Sequence, residues 1–332
     1  MMNDLLKDTR IVFMGTPEFA VASLDGLVKA GACIVGVVTA PDKPAGRGMK
    51  LTESAVKKYA VEQGLLVLQP EKLKDAGFLE TLRSLRADLQ VVVAFRMLPE
   101  VVWSMPSLGT INVHGSLLPQ YRGAAPINWA VINGEKETGV TTFKLQHAID
   151  TGNILLQDSF AIGEDDTAGD VHDYMKEVGA KLLVKTVEGL VSGTIEEKAQ
   201  ESGTEHGAGV ELRHAPKIFT ETAKIDWHKT SFEIHNLIRG LSPYPGAFTY
   251  LQDKMLKIYR SKKRSHLLRS HRVRQIQTGR RILNLPVQMA ISMCWTYNWK
   301  GKKDDDRGVF AGVSVLTIQN TVYRIQNTES FA

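Results

Sequence analysis

Short unbroken apolar runs alternate with helix-spaced stretches through the first half of the chain. Ile11–Gly15, Ile34–Thr39, Leu65–Gln69, Leu89–Phe95 and Thr110–His114 read as strands, several of them apolar at nearly every position, as strands buried on both faces are. Between the first two, Phe19, Ala20, Leu24, Leu27 and Val28 recur at helical spacing. Thr16 is the expected cap of that helix, Pro17 suits its first turn and Gly31 supplies the stop. Ser54–Gln63 and Leu73–Leu85 read as two further helices. Pro41–Lys50 (PDKPAGRGMK) is too rich in proline and glycine for regular structure. Strands separated by helices imply a Rossmann-like α/β domain with a mostly parallel sheet.

Farther along, Val140–Gln146 and Asn153–Ile162 read as a terminal hairpin, and Asp170–Leu190 as a long amphipathic helix ending near Gly193. Ser192–Lys217 is rich in Gly, Glu and Thr and reads as a linker. Beyond it, Ser231–Arg239 is helical, Leu241–Pro245 breaks the chain, and Phe248–Leu251 and Met255–Tyr259 are strand-like. The expected organisation is a first domain over 1–191, a linker over 192–217 and a smaller domain over 218–332.

Composition narrows the class. The 332 residues are 43% hydrophobic with a formal net charge of +5, which suits two globular domains and excludes general disorder. No apolar run reaches the about 18 residues of a membrane span. Met1–Arg10 lacks an apolar signal core, and two cysteines, Cys33 and Cys294, cannot build a disulfide framework; both point to the cytoplasm. Of 41 Lys/Arg and 36 Asp/Glu, 14 basic and no acidic residues fall between Lys254 and Lys303, so the rest of the chain is net acidic. A basic block on an acidic body suggests a polyanionic partner.

Asn112 and His114 stand two apart at the end of a strand and share a face. Open α/β sheets place ligands at the carboxyl ends of their strands. Asp150-Thr151-Gly152 falls in a turn between two strands. Taken singly, each reads as ordinary structure. Gly115–Pro126 (GSLLPQYRGAAP) is a stiff loop whose main chain can hydrogen-bond a flat heterocycle.

Taken together, Asn112–Pro119 (NVHGSLLP), Tyr121–Pro126 (YRGAAP) and Asp150–Gly152 (DTG) resemble the signature of the folate-dependent formyltransferases. Phe13–Ala20 (FMGTPEFA), Pro41–Gly48 (PDKPAGRG), Lys224–Trp227 (KIDW), Asn236–Gly240 (NLIRG) and Pro243–Ala247 (PYPGA) resemble the branch acting on initiator tRNA. The resemblance runs from about residue 10 to about 263. It implies transfer of the formyl group of 10-formyltetrahydrofolate to the α-amine of methionyl initiator tRNA. This is an acyl transfer through a tetrahedral intermediate, which needs donors for an oxyanion. Asn112 and His114 would supply them. Asp150 would pair with a protonated His114 and relay, through water, the proton lost by the amine.

The resemblance assigns further residues. Ser116, Leu117, Leu118 and Pro119 would line the folate site. The Val91–Leu98 segment, Val93 and Leu98 included, would hold the pterin through its backbone. It reads Phe95-Arg96-Met97 where many relatives have an aromatic residue followed by glycine. Arg47 and Lys50 would face tRNA, joined by Arg239 of the second domain. That domain would be an OB-like β-barrel, and the protein a monomer with no metal and no membrane partner. Rival readings are another 10-formyltetrahydrofolate-dependent formyltransferase or hydrolase, and an inactive RNA-binding relative with a damaged tail. A Rossmann dehydrogenase is weak, because Gly15–Ala20 holds one glycine and no G-x-G-x-x-G.

From about residue 264 the barrel pattern is lost and the expected fold is aberrant. Simple divergence is one reading of this; a shifted reading frame is a sharper one. With synonymous codons chosen freely, Gln288–Gly301 (QMAISMCWTYNWKG) read two bases later yields NGYIYVLDLQLEG, which alternates like a half-buried strand. Lys303–Thr317 (KDDDRGVFAGVSVLT) read one base later yields RMTIEEFLRVYRF and a stop codon, an amphipathic helix. The offsets differ, so more than one shift is involved, and the basic block then says nothing about tRNA. We expect the coding DNA over both segments to spell both alternative strings. One codon incompatible with either sinks the idea.

Overall fold

The computed structural model describes residues 2–45, 50–200, 211–251, 254–263, 289–295 and 312–318. In chain order it begins with α1 (Met2–Asp8), β1 (Arg10–Gly15), α2 (Glu18–Lys29), β2 (Cys33–Val38), β3 (Lys43–Ala45), β4 (Lys50–Thr52), α3 (Ala55–Glu62), β5 (Val67–Leu68) and α4 (Ala76–Ser84). Next come β6 (Leu89–Val93), α5 (Glu100–Trp103), β7 (Thr110–His114), β8 (Arg122–Gly123), α6 (Pro126–Ile132), β9 (Glu137–Lys144), β10 (Ile154–Ala161) and α7 (Ala168–Val191). The chain continues with β11 (His214–Ala215), α8 (Ser231–Gly240), β12 (Ala247–Leu251), β13 (Lys254–Ile258), β14 (Arg260–Lys263), β15 (Met289–Trp295) and β16 (Gly312–Ile318). Two compact units emerge. One holds residues 1–126, 137–161 and 172–216; the other holds 127–136, 162–171 and 217–332.

The first unit is built on a seven-stranded sheet in the order β10-β9-β7-β6-β1-β2-β5. From β7 to β5 all neighbours are parallel, while β9 runs antiparallel to β7 and to β10. β6 is buried at all five positions, and β1 at all but its first. That is why their sequences are largely apolar, with Gln90 the buried polar exception in β6. An apolar cluster of Val12, Met14, Val38, Phe78, Leu82 and Val102 packs α4 and α5 on the sheet. Strand order reverses between β1 and β6, the point where open α/β sheets bind ligands.

Three local expectations change. Pro17, not Thr16, is the N-cap of α2, with extended φ and ψ and no side-chain hydrogen bond. Pro41–Lys50 is not irregular throughout: Lys43–Ala45 pairs antiparallel with Lys50–Thr52. A two-stranded ribbon tolerates Pro44, since an edge strand needs only one side of its backbone paired. Two described parts of the stretch over 192–217 pair within the first unit. Lys198 exchanges two main-chain hydrogen bonds with Ile154, and β11 pairs with β8.

The second unit packs α8 and the β12–β13 hairpin around Ile225, Ile234, Ile238, Leu241, Phe248 and Ile258. β14, β15 and β16 form a separate antiparallel sheet. The expectation of poor packing after about residue 264 falls on 264–288, 296–311 and 319–332, which lie outside the described residues. Among the described residues, no helix is long and apolar enough to cross a membrane.

α8 begins in a capping box. Glu233 accepts from the Thr230 N–H (2.9 Å) and hydroxyl (2.7 Å), and Thr230 Oγ1 accepts from Glu233 N–H (3.3 Å). These bonds, with Lys229 assisting, hold the Glu233 carboxyl down at about 2. A carboxyl whose folded value is depressed stabilises above its unfolded value, near about 4.3, and that contribution fades as pH falls toward 2. Glu233→Gln is therefore expected to lower the melting temperature at pH 7 and to differ much less from the parent at pH 3. Thermal scans at both pH values check this; an equal deficit at both refutes the assignment.

Candidate active site

β7 ends at the carboxyl edge of the sheet and carries Asn112 and His114 on one face. His114 is buried at 6% exposure. Its Nε2 lies 2.9 Å from the Tyr121 carbonyl oxygen. A carbonyl only accepts, so Nε2 carries the hydrogen and the Nδ1 edge is left for chemistry. Nδ1 faces Asp150 Oδ2 at 3.9 Å, longer than a hydrogen bond. Phe143 holds the ring edge-on, with centroids 6.4 Å apart and planes at 81°. Asn112 is half-buried, and its amide has no hydrogen-bond partner among the described residues.

In the β9–β10 connection, Gly152 lies against the end of β9. A Cβ at Gly152 would stand 1.6 Å from the Lys144 carbonyl oxygen, so no other residue fits there without moving the chain. Asp150 itself is left-handed, with φ +54. Its Oδ2 accepts from the Gly123 N–H at 3.0 Å. Gly123, at φ +127, meets the same kind of constraint: a Cβ there would lie 2.5 Å from the Ala215 carbonyl oxygen. The glycines of both motifs are thus required by close backbone approach.

One contributor was missed by sequence reasoning. Gln200, in the stretch read as linker, donates through Nε2 to the carbonyls of Asp150 (2.9 Å) and Gly152 (2.8 Å). Its Oε1 accepts from Arg122 Nε (3.0 Å) and Nη2 (2.6 Å). No local pattern marks a lone glutamine among glycines and glutamates, so only the fold reveals it.

The loop after His114 differs in part from expectation. Ser116 and Leu118 are buried, and the Ser116 hydroxyl donates to Gln120 O at 2.6 Å. Thr141 Oγ1 donates to Ser116 O (2.7 Å) and accepts from Leu118 N–H (3.0 Å), while Gln157 donates to Leu118 O (2.9 Å). These groups are committed to loop shape, which leaves Leu117 and Pro119 as the half-buried members able to meet a ligand. The side chains of Val93 and Leu98 are likewise core, so only their backbone can serve a ligand. Ala94, with φ +46, turns the chain outward after β6, and Met97 is 75% exposed. Arg96 pins this segment through its guanidinium to the carbonyls of Pro70 and Glu71.

Of the expected tRNA-facing residues, Arg47 lies outside the described residues, and Lys50 is described only as backbone of β4. The residues flanking the paired β3 and β4 are held together. Lys57 pairs with Asp42 and with Glu53 (2.9 Å), and Gln69 donates to Asp42 and to Ala40 O, both at 2.8 Å. The hydrogen bond from Lys57, then that from Gln69, holds the Asp42 carboxyl below the usual carboxylate range. Arg239 is corrected by the structure. It is buried, and its guanidinium donates to Asn236 Oδ1 (2.8 Å) and to the carbonyls of Gly163 (3.2 Å) and Asp166 (2.9 Å). Burial lowers its pKa, and its donors are engaged inside the second unit rather than offered to phosphate.

Residues 9–187 match the formyl transferase family and residues 217–290 its C-terminal domain. The second match passes Arg264, where the chain's own pattern ceases to be readable. The methionyl-tRNA formyltransferase of Parabacteroides distasonis is 58% identical over 264 residues, 78% of this chain and 81% of that protein. Its counterpart from Flavobacterium johnsoniae is 46% identical over 304 residues, 90% of this chain and 94% of that protein. A solved N-formyltransferase from Helicobacter canadensis, in complex with folinic acid and dTDP-3-aminofucose, has a TM-score of 0.59 at 21% identity, covering 86% of this chain and 95% of that one. That likeness is one of fold.

Gly152→Ala is expected to destabilise the chain by about 1–3 kcal/mol or more, because backbone rather than a flexible side chain must give way. Thr151→Ala, which removes one exposed hydrogen bond to Ala148 O, should cost far less. Chemical denaturation of the two variants side by side checks the order; equal losses contradict it.

Proposed function

Since this chain belongs to the methionyl-tRNA formyltransferase family, we propose that it transfers the formyl group of 10-formyltetrahydrofolate to the α-amine of methionyl initiator tRNA through Asn112, His114 and Asp150. The observation that carries the residue assignment is the convergence of an unpartnered amide, an imidazole Nδ1 edge and a carboxylate at the end of β7. The bound folate supplies the activated formyl group. As the amine adds to the formyl carbon, a C–N bond forms, the bond to the folate N10 breaks, one proton leaves the amine and one returns to N10.

Negative charge grows on the formyl oxygen during addition and needs donors already in place. Asn112 contributes its amide N–H, and a protonated His114 contributes Nδ1–H, since Nε2–H is engaged by Tyr121. Asp150 has Oδ2 held by Gly123, while its Oδ1 makes no hydrogen bond among the described residues. Asp150 serves as acceptor for the amine proton through a water. The exposed backbone over 94–97, with Leu117 and Pro119, forms the pterin seat. Arg47 and Lys50 meet tRNA phosphates.

Asn112→Ala is expected to lower kcat by about 10²–10³-fold. His114→Ala and Asp150→Ala should abolish transfer while folate binding, followed by titration, stays near that of the parent. Substantial transfer by either variant overturns the assignment. Arg47→Ala should raise KM for tRNA and flatten its salt dependence without altering folate affinity; an unchanged KM removes that role. Offering methionyl initiator tRNA and a nucleotide-linked amino sugar together identifies the acceptor directly.

A further inference from the structure

We propose that Gln200 is a positioning residue for formyl transfer, holding Asp150 in place for His114; this rests on the catalytic reading above. Its amide is fully used. Two donor bonds go to the carbonyls of Asp150 and Gly152, and its oxygen accepts twice from Arg122. These bonds close a ring of constraints. Asp150 Oδ2 is gripped by the Gly123 N–H, Gly123 is joined to Arg122, Arg122 binds Gln200, and Gln200 returns to the Asp150 carbonyl. The carboxylate and the main chain of Asp150 are therefore tied to the same short strand, β8.

The ring matters because Asp150 occupies a conformation that a residue with a side chain rarely adopts, at φ +54. Such a turn persists only where its surroundings over-determine it. Gly152 forbids one escape by its contact with Lys144, and Gln200 closes the other by engaging both carbonyls that flank Thr151. With Gln200 gone, the turn relaxes and the carboxylate leaves its place 3.9 Å from Nδ1. A misplacement near 1 Å is enough to cost about 10²-fold in rate.

Only glutamine meets the geometry. Glutamate keeps the acceptor for Arg122 but sets a carboxylate against two carbonyl oxygens. Methionine keeps the volume and makes none of the bonds. Nor is Gln200 needed to fasten its own segment. Lys198 already pairs with Ile154 through the main chain, and Glu197 binds Lys144 (2.5 Å) and Asn153 (3.1 Å). An effect on catalysis is therefore separable from an effect on folding.

The test uses the full chain with Gln200→Glu, Gln200→Met, Asp150→Asn and Gln200→Met combined with Asp150→Asn. Glu197→Gln serves as a control that loosens the same segment elsewhere. Melting temperature, folate affinity, kcat and KM for methionyl initiator tRNA are measured for each. Gln200→Glu and Gln200→Met are expected to lose about 10–100-fold in kcat, with KM and folate affinity within about threefold of the parent. Glu197→Gln should keep kcat within about twofold, and the double variant should lose no more than Asp150→Asn alone, because Gln200 acts through Asp150. Unchanged kcat in both Gln200 variants overturns the proposal, as does a double variant whose losses multiply. If Asp150→Asn itself transfers at the parent rate, the catalytic reading fails and Gln200 falls with it. If only the Gln200 variants are unaffected, the catalytic reading stands and this proposal alone fails.

Discussion

The carbonyl oxygen of Lys144 stands where residue 152 would carry a side chain, and the arrangement of the site follows from that approach. Two residues earlier in the same connection, Asp150 is left-handed. β9 lies beside β7 in a register that pairs Asn112 with Phe143 and His114 with Thr141. The turn is thereby delivered to the edge where Asn112 and His114 end their strand. A looser connection of the same composition would leave the carboxylate in solvent, too far from the imidazole to matter.

Much of the polar chemistry near the site is spent on shape rather than on ligands. Buried Thr141 and Ser116, joined by Gln157 from the exposed side, form a hydrogen-bond network that holds the loop after His114. Buried polar groups of this kind are costly unless satisfied, and once satisfied they define one conformation. Among the described residues, the groups left over include the Asn112 amide, the Nδ1 edge of His114, one oxygen of Asp150 and the backbone after β6. That division explains why a motif can be long while few of its polar groups remain unengaged.

Charge follows the same economy. Lys57 sits between Asp42 and Glu53 at the neck of the Lys43–Thr52 ribbon, so a cation that composition alone would offer to nucleic acid is internal to the scaffold. Arg239 is likewise absorbed by backbone carbonyls. Which Lys and Arg have an internal acceptor is decided by the fold rather than by their number. A count of charges along the chain cannot make that distinction.

Local patterns along the chain determined a good deal. Largely apolar runs at Ile11–Gly15 and Leu89–Phe95 located the central strands because strands buried on both faces carry few polar positions. The pairing of Asn112 with His114 on one face was legible because a strand repeats every two residues. The ordered motifs around them identified the family, since their spacing is far more specific than any one of their residues. What only the tertiary structure decided was how each polar group is used. Burial turned Ser116 and Arg239 inward, a ribbon formed where proline and glycine suggested none, and a stretch read as linker came back to place Gln200 against Asp150. These outcomes depend on contacts between residues up to 78 positions apart, as for Arg122 and Gln200. No periodicity within a segment carries information about the acceptor that another segment will bring to it.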